Sequence, residues 1–123
     1  MELTTRAQLR ATRRAALDLH KVLLDALRVD YERAHGRVQS PGELLRLVTQ
    51  DQAFAWLRPL SQLIVALDEC EANPEAGASG AAGVRGELRR LLEAPHFRPH
   101  YLECLQREPA VVLAHARLQQ HLA

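Results

Sequence analysis

Several features that mark enzymes, secreted domains and membrane proteins are scarce in this sequence of 123 residues. Aromatic residues make up 4% of it, and it has two cysteines, Cys70 and Cys104. With two cysteines in a chain of this length and no obvious export signal, the sequence predicts reduced thiols in a cytoplasmic protein. No run approaches the roughly 18 consecutive apolar residues of a membrane span, so we expect no membrane partner.

Motifs of catalysis and metal binding are also missing. The sequence has no Gly-x-Ser-x-Gly elbow and no glycine-rich phosphate loop after a strand. Residues 32–35 and 93–96 have the Glu-x-x-His spacing of di-iron bundles, but Gly36 follows the first segment and Pro95 interrupts the second. We therefore predict a non-enzyme with no catalytic residue, no metal site and no cofactor.

The charge is small but unevenly distributed. The formal net charge is +1, which gives no global field to draw the protein onto nucleic acid or membrane. Residues 1–37 carry +3, residues 38–80 carry −4 and residues 81–123 carry +2. An acidic middle between two basic ends favours pairing of segments, within one chain or between two chains.

The apolar pattern predicts an all-α fold. Leucine and alanine dominate the 47% apolar content, and apolar residues recur at steps of three and four, the spacing of one helix face. We expect one domain over residues 1–123, a small bundle of four to six helices with a long first helix and proline-broken later helices.

The first helix is predicted to run about 30 residues and to end at Gly36. Its predicted core-facing stripe is formed by Leu17, His20, Leu24, Leu27, Tyr31 and Ala34, and Ala16 and Leu23 widen it. The earlier turns contain mainly alanine and arginine, so we expect them to project from the core.

Caps and breaks organise the rest of the chain. Ser40 and Asp51 are predicted N-caps, and Pro59 must kink or restart the helix that contains it. The small, nearly uncharged segment 73–83 is predicted to be a flexible loop. Three further prolines divide the C-terminal part: Pro95, Pro99 and Pro109.

His20 is the first candidate functional residue, because it occupies a position in the apolar stripe where an aliphatic side chain would pack better. A buried neutral imidazole needs a hydrogen-bond partner, which is one interpretation. The other is a pocket, pH switch or haem ligand, with Tyr31 or Trp56 nearby. Trp56 is also a candidate anchor for a protein partner, because aromatic residues dominate interface hot spots.

A second candidate is a partner surface on the first helix, formed by Arg6, Arg10, Arg13 and Arg14. Such a group can follow phosphates, but it lacks interleaved aromatic residues. Nucleic-acid binding through these arginines is therefore the weaker alternative, and a solvated face is favoured.

The segments Ser40–Leu45 and Phe54–Asp68 resemble those of a family of small uncharacterised bacterial helical proteins. The resemblance covers most of the chain and implies neither an activity nor any functional residue. The leading hypothesis is a non-enzymatic helical module for protein–protein interaction, with a homodimer as one form of it. The alternative is a bundle centred on His20 that binds a small ligand, haem or metal.

Overall fold

The chain folds as a helical bundle, as predicted. The computed structural model describes residues 2–122, with side chains described for residues 6–73 and 80–122. Over residues 2–122 it has six α-helices, one 3-10 helix and no strand. The helices are α1 (Glu2–His35), α2 (Pro41–Gln50), a 3-10 helix (Gln52–Leu57), α3 (Arg58–Ala72), α4 (Pro74–Glu93), α5 (Arg98–Arg107) and α6 (Pro109–Leu122). None of these described helices is long and apolar enough to cross a membrane.

Four helices form the core. α1, at about 50 Å long, packs on α3, α4 and α6, and α3 packs on α4. Arg10 of α1 meets Glu71 of α3, while His20 meets Ser61, so α1 and α3 run antiparallel. α5 lies against α4 and α6, and α2 packs on the 3-10 helix. The arrangement is an up-down-up-down bundle with two short additions.

The predicted caps and stops are confirmed. The Ser40 hydroxyl accepts a hydrogen bond from the Glu43 N–H at 3.1 Å, and the Asp51 carboxylate accepts one from the Ala53 N–H at 2.9 Å. Gly36 ends α1 with φ of 88°, which glycine adopts without strain. Pro59 lies in the first turn of α3, so the chain restarts there after the 3-10 helix.

The predicted stripe on α1 is wrong in its centre, although Ala16 and Leu23 at its edge are buried as predicted. The residues that α1 buries are Leu9, Thr12, Ala15, Ala16, Leu19, Leu23 and Ala26. The last four lie one position before residues of the predicted stripe. Leu17 is 40% exposed, whereas Leu24 and Leu27 flank the core half-buried. A shift of one residue turns a helix by about 100°. The prediction that the early turns project is wrong too, because Leu9, Thr12 and Ala15 are buried within the chain's own core.

The loop predicted at residues 73–83 is a helix. Asn73 alone separates α3 from α4, and α4 begins at Pro74, a position where proline's missing N–H costs nothing. Ala81 is fully buried, and a Cβ placed on Gly80 would lie 3.0 Å from the Cys70 sulfur. The lack of a side chain at Gly80 thus allows α3 and α4 to approach each other closely. The alanines of the segment favour a helix, because alanine is the best helix former.

The register of α1 can be tested with one substitution at two positions of that helix. Leu23→Ala is expected to lower the free energy of unfolding by about 2–5 kcal/mol, because Leu23 is fully buried and its loss leaves a cavity. Leu17→Ala, the control, is expected to change it by about 0.5 kcal/mol or less. Urea unfolding of both variants measures this, and an equal cost at the two positions would contradict the observed face.

Candidate functional site

His20 occupies a satisfied structural position. Its Nε2 lies 2.7 Å from the Ser61 hydroxyl, which joins α1 to α3. Burial lowers the pKa of His20, so the neutral imidazole is favoured in the folded protein. A partly buried histidine with its own hydroxyl partner requires no ligand.

The structure does not gather His20, Tyr31 and Trp56 into one pocket. His20 and Tyr31 are separated by 11 residues on α1, which is about 16 Å along the helix. Tyr31 packs against His35 and Phe54, with ring centroids 4.5 Å and 5.9 Å away. Trp56 lies elsewhere, at a cleft that His20 does not line.

Trp56 lines a cavity of about 680 Å³ between the last turns of α1, the 3-10 helix and α5. We name this cavity the aromatic cleft. Trp56 stacks on His100 with centroids 5.3 Å apart and an interplanar angle of 12°. It also meets the buried ring of Phe97 edge-on at 5.2 Å. Trp56 is partly buried and lines the wall of the cleft.

An ion pair closes one end of the aromatic cleft. Two nitrogens of Arg107 lie 2.8 Å and 3.2 Å from the two carboxylate oxygens of Asp30, a two-pronged contact between α5 and α1. The hydrogen bond from Arg107 lowers the pKa of Asp30. Both groups are therefore charged at neutral pH and largely neutralise each other.

Cys104 lies at the base of the same cleft and is buried. Its burial raises the pKa of the thiol, which disfavours the nucleophilic thiolate. Among the described residues, no group of three or more His, Cys, Asp or Glu side chains is arranged to hold a metal ion. The chemistry that the cleft offers is aromatic and apolar contact with a charged rim.

A hydrogen bond behind the cleft holds α5 on α6. The Tyr101 hydroxyl lies 2.6 Å from Nδ1 of His115, and Tyr101 is buried. Burial raises the pKa of Tyr101 and lowers the pKa of His115, so both side chains are neutral. This contact fixes the helix that carries His100.

A second cleft of about 450 Å³ continues the first along α3. Pro59 and His96 line both. Its apolar walls come from α3, α4 and the C-cap of α4: Leu63, Ala66, Leu91 and Ala94. We call the two clefts together the α3 groove.

The four predicted surface arginines divide into different environments. Arg10 pairs with Glu71 at 3.0 Å, and Arg13 lies 2.7 Å from Glu71 and 3.2 Å from Asp68. The contact between Arg13 Nε and Glu71 is an ion pair without a hydrogen bond, because the Nε–H of Arg13 has no hydrogen-bond partner among the described residues. The expected pairing between basic and acidic segments is thus found within the chain.

Arg14 and Arg6 are exposed. Arg10 and Arg14 line a cleft of about 390 Å³ between α1 and α6. The other lining residues are Ala11, Ala15 and Asp18 of α1 and Arg117, Gln120 and His121 of α6. We call this the basic cleft.

Sequence reasoning missed the aromatic cleft as a unit. Residues 96–100 have the spacing of a histidine pair, and Pro99 indicates that the two imidazoles belong to different local elements. The structure confirms this, with His96 in a turn and His100 in α5, yet both line the cleft. The pairing of Asp30 with Arg107, 77 residues apart, leaves no local signal.

Compared with protein-family models, curated proteins and solved structures, the chain matches none of them. The resemblance to small bacterial helical proteins therefore stays a prediction, and function rests on the geometry.

The buried histidine predicts a pH-dependent stability. Because the pKa of His20 is lowered in the folded state, the unfolded chain binds a proton first as the pH falls through about 6.5. The free energy of unfolding should therefore decrease from pH 7 to pH 5. His20→Gln can keep the hydrogen bond to Ser61 but does not titrate, so urea unfolding should show a flatter pH dependence.

Ser61→Ala is the matched control. It should lower stability at pH 7 by about 0.5–1.5 kcal/mol while the pH slope persists, because the imidazole stays buried. An unchanged slope in His20→Gln would show that His115 or other groups dominate, and the assignment to His20 would be wrong.

Proposed function

We propose that this protein is a non-enzymatic helical module that docks a short apolar segment of another protein in the α3 groove. The observation that carries the proposal is the position of Trp56. It is the single tryptophan of the chain, and it lies partly buried at the wall of the groove near the point where its two clefts meet. Tryptophan in such a setting is the residue type most enriched in interface hot spots.

The dimensions of the groove fit a helical segment. Between Trp56 and Ala66 it follows ten residues, which is about 15 Å, or nearly three turns of helix. An amphipathic helix placed there would present apolar residues at positions i, i+3 or i+4, and i+7. These apolar residues would pack against Pro59, Leu63 and Leu91 on the floor of the groove.

The charges around the groove favour an uncharged contact face on the partner. Asp30 and Arg107 neutralise each other at one end. At the other end Glu87 and Arg90 bring opposite charges. Glu103 leaves an excess of only one negative charge, so affinity must come from apolar burial, and charge contributes mainly to orientation.

The exposed rim of the groove favours a protein segment as the ligand rather than a small molecule. Its exposed residues include His96, His100 and Glu103, which leave the cleft open along its length. Sites for small molecules usually bury about 70–90% of the ligand surface. The alternative centred on His20 loses its basis, because His20 is bonded to Ser61 and lines neither cleft.

A homodimer is less well supported than a foreign segment. The ion pairs that would orient two copies are made within one chain, between Arg10 or Arg13 and Glu71. A stable interface between whole proteins needs about 800 Å² from each partner, more than a groove of three helical turns offers.

Peptide selection tests the proposal. A displayed library of random peptides of about 15 residues, the length of a short amphipathic helix, is selected on the wild-type protein and counter-selected on Ala66→Glu, which places a carboxylate in the groove. We expect enrichment of peptides with apolar residues at helical spacing. An enriched peptide should shift the emission of Trp56, the single tryptophan.

Val65→Glu is the matched control, because Val65 is the neighbour of Ala66 and is 54% exposed. It should bind selected peptides within about twofold of wild type, whereas Ala66→Glu should bind them about tenfold more weakly. Circular dichroism checks that both variants remain helical. Peptides that ignore the Ala66 substitution, or no enrichment at all, would contradict the proposal.

A further inference from the structure

The basic cleft between α1 and α6 plays no part in the α3 groove, and the described side chains give no structural explanation of its charge. Three guanidinium groups surround it, from Arg10, Arg14 and Arg117, against one carboxylate, Asp18. Arg10 is engaged by Glu71. None of the ion pairs among the described side chains includes Arg14 or Arg117.

The cluster is built by two helices acting together. Arg10 and Arg14 are four residues apart on α1, and so are Arg117 and His121 on α6. Residues at that spacing share one helix face, with Cβ atoms about 5–6 Å apart. Each helix therefore presents a row of cationic or donor groups to the same cavity.

Stabilisation of the end of α6 does not account for these cations. The partial negative charge of a helix C-terminus favours nearby basic groups. Arg89 of α4 already donates to the carbonyl of Leu122 in the last turn of α6. Arg14 and Arg117 remain exposed, with donors free of contacts to the described carboxylates.

We propose that the basic cleft binds the phosphate group of a small phosphorylated ligand, held between Arg14 and Arg117. Guanidinium groups match phosphate oxygens in a two-pronged geometry. Because Glu71 offsets Arg10, Arg14 and Arg117 less Asp18 leave an excess of one positive charge, which attracts the −1.5 to −2 of a phosphate monoester at about pH 7.

The shape of the cleft favours a compact ligand. Its volume of about 390 Å³ lies at the lower end of the range for small-molecule sites. Ala11 and Ala15 form a floor of small apolar side chains on which the organic part of the ligand lies. A nucleic acid would need a longer row of phosphate contacts, and Asp18 would repel its neighbouring charges.

Calorimetric titration with phenyl phosphate and with inorganic phosphate tests the proposal on the full chain. Phenyl phosphate should bind more tightly, because its ring contacts the alanine floor. The double variant Arg14→Glu/Arg117→Glu should weaken binding at least about tenfold. The control Arg6→Glu/Arg37→Glu makes the same charge change at exposed positions outside the cleft, and it should stay within about twofold.

A second variant leaves the charge unchanged. Ala11→Leu fills the floor, and leucine ranks next to alanine as a helix former, so the variant should fold and yet weaken phenyl phosphate binding more than inorganic phosphate binding. Equal losses in both double variants, no heat with either phosphate, or stronger binding of single-stranded DNA than of phenyl phosphate would each overturn the proposal.

Discussion

The buried face of α1 is the constraint on which the rest of the structure depends. An isolated helix is marginal in water, so α1 is held by the apolar residues it places against α3, α4 and α6. Burial of a leucine such as Leu19 or Leu23 contributes about 1.5–3 kcal/mol relative to exposure. Because this face reaches from Leu9 to Ala26, the three partner helices are aligned along a single axis.

The last turns of α1 extend past that face and create the aromatic cleft. Leu27, Asp30 and Tyr31 are only half-buried: Leu27 and Asp30 line the cleft, and Tyr31 packs on Phe54 of the 3-10 helix. α5 is held there by the Asp30–Arg107 ion pair on one side and by Tyr101 with His115 on the other. Exposed ion pairs contribute only about 0–1 kcal/mol each, so the charges orient helices whose apolar contacts supply the stability.

The sequence predicted those features that depend on neighbouring residues. Ser40 caps α2, Asp51 caps the 3-10 helix, and Gly36 ends α1, because capping is satisfied within one turn. The restart of the helix near Pro59 follows from the missing N–H in the same way. The fold class was predicted from the apolar periodicity, because every long periodic segment had helical spacing and none had strand spacing.

Features that depend on distant contacts could not be predicted. α1 is apolar on more than one side, with leucines at both Leu17 and Leu19, so its periodicity fits two faces and only the partner helices select one. Gly80 belongs to a segment whose composition also suits a linker. Its role is visible only when Cys70 of α3 lies against it. The clefts are missed for the same reason, because each joins residues from helices far apart in sequence.

The two proposed sites share α1 as a wall but are independent in space. The basic cleft includes residues 10–18 of α1, and the aromatic cleft includes Leu27 and Asp30. From Arg14 to Asp30 is 16 residues of one helix, or about 24 Å, which exceeds the Debye length of about 8 Å at physiological salt. A charge bound at one end is therefore screened from the other, and both sites can be occupied together. Variants at Arg14 and Arg117 should leave peptide binding intact, so the failure of either proposal would leave the other standing.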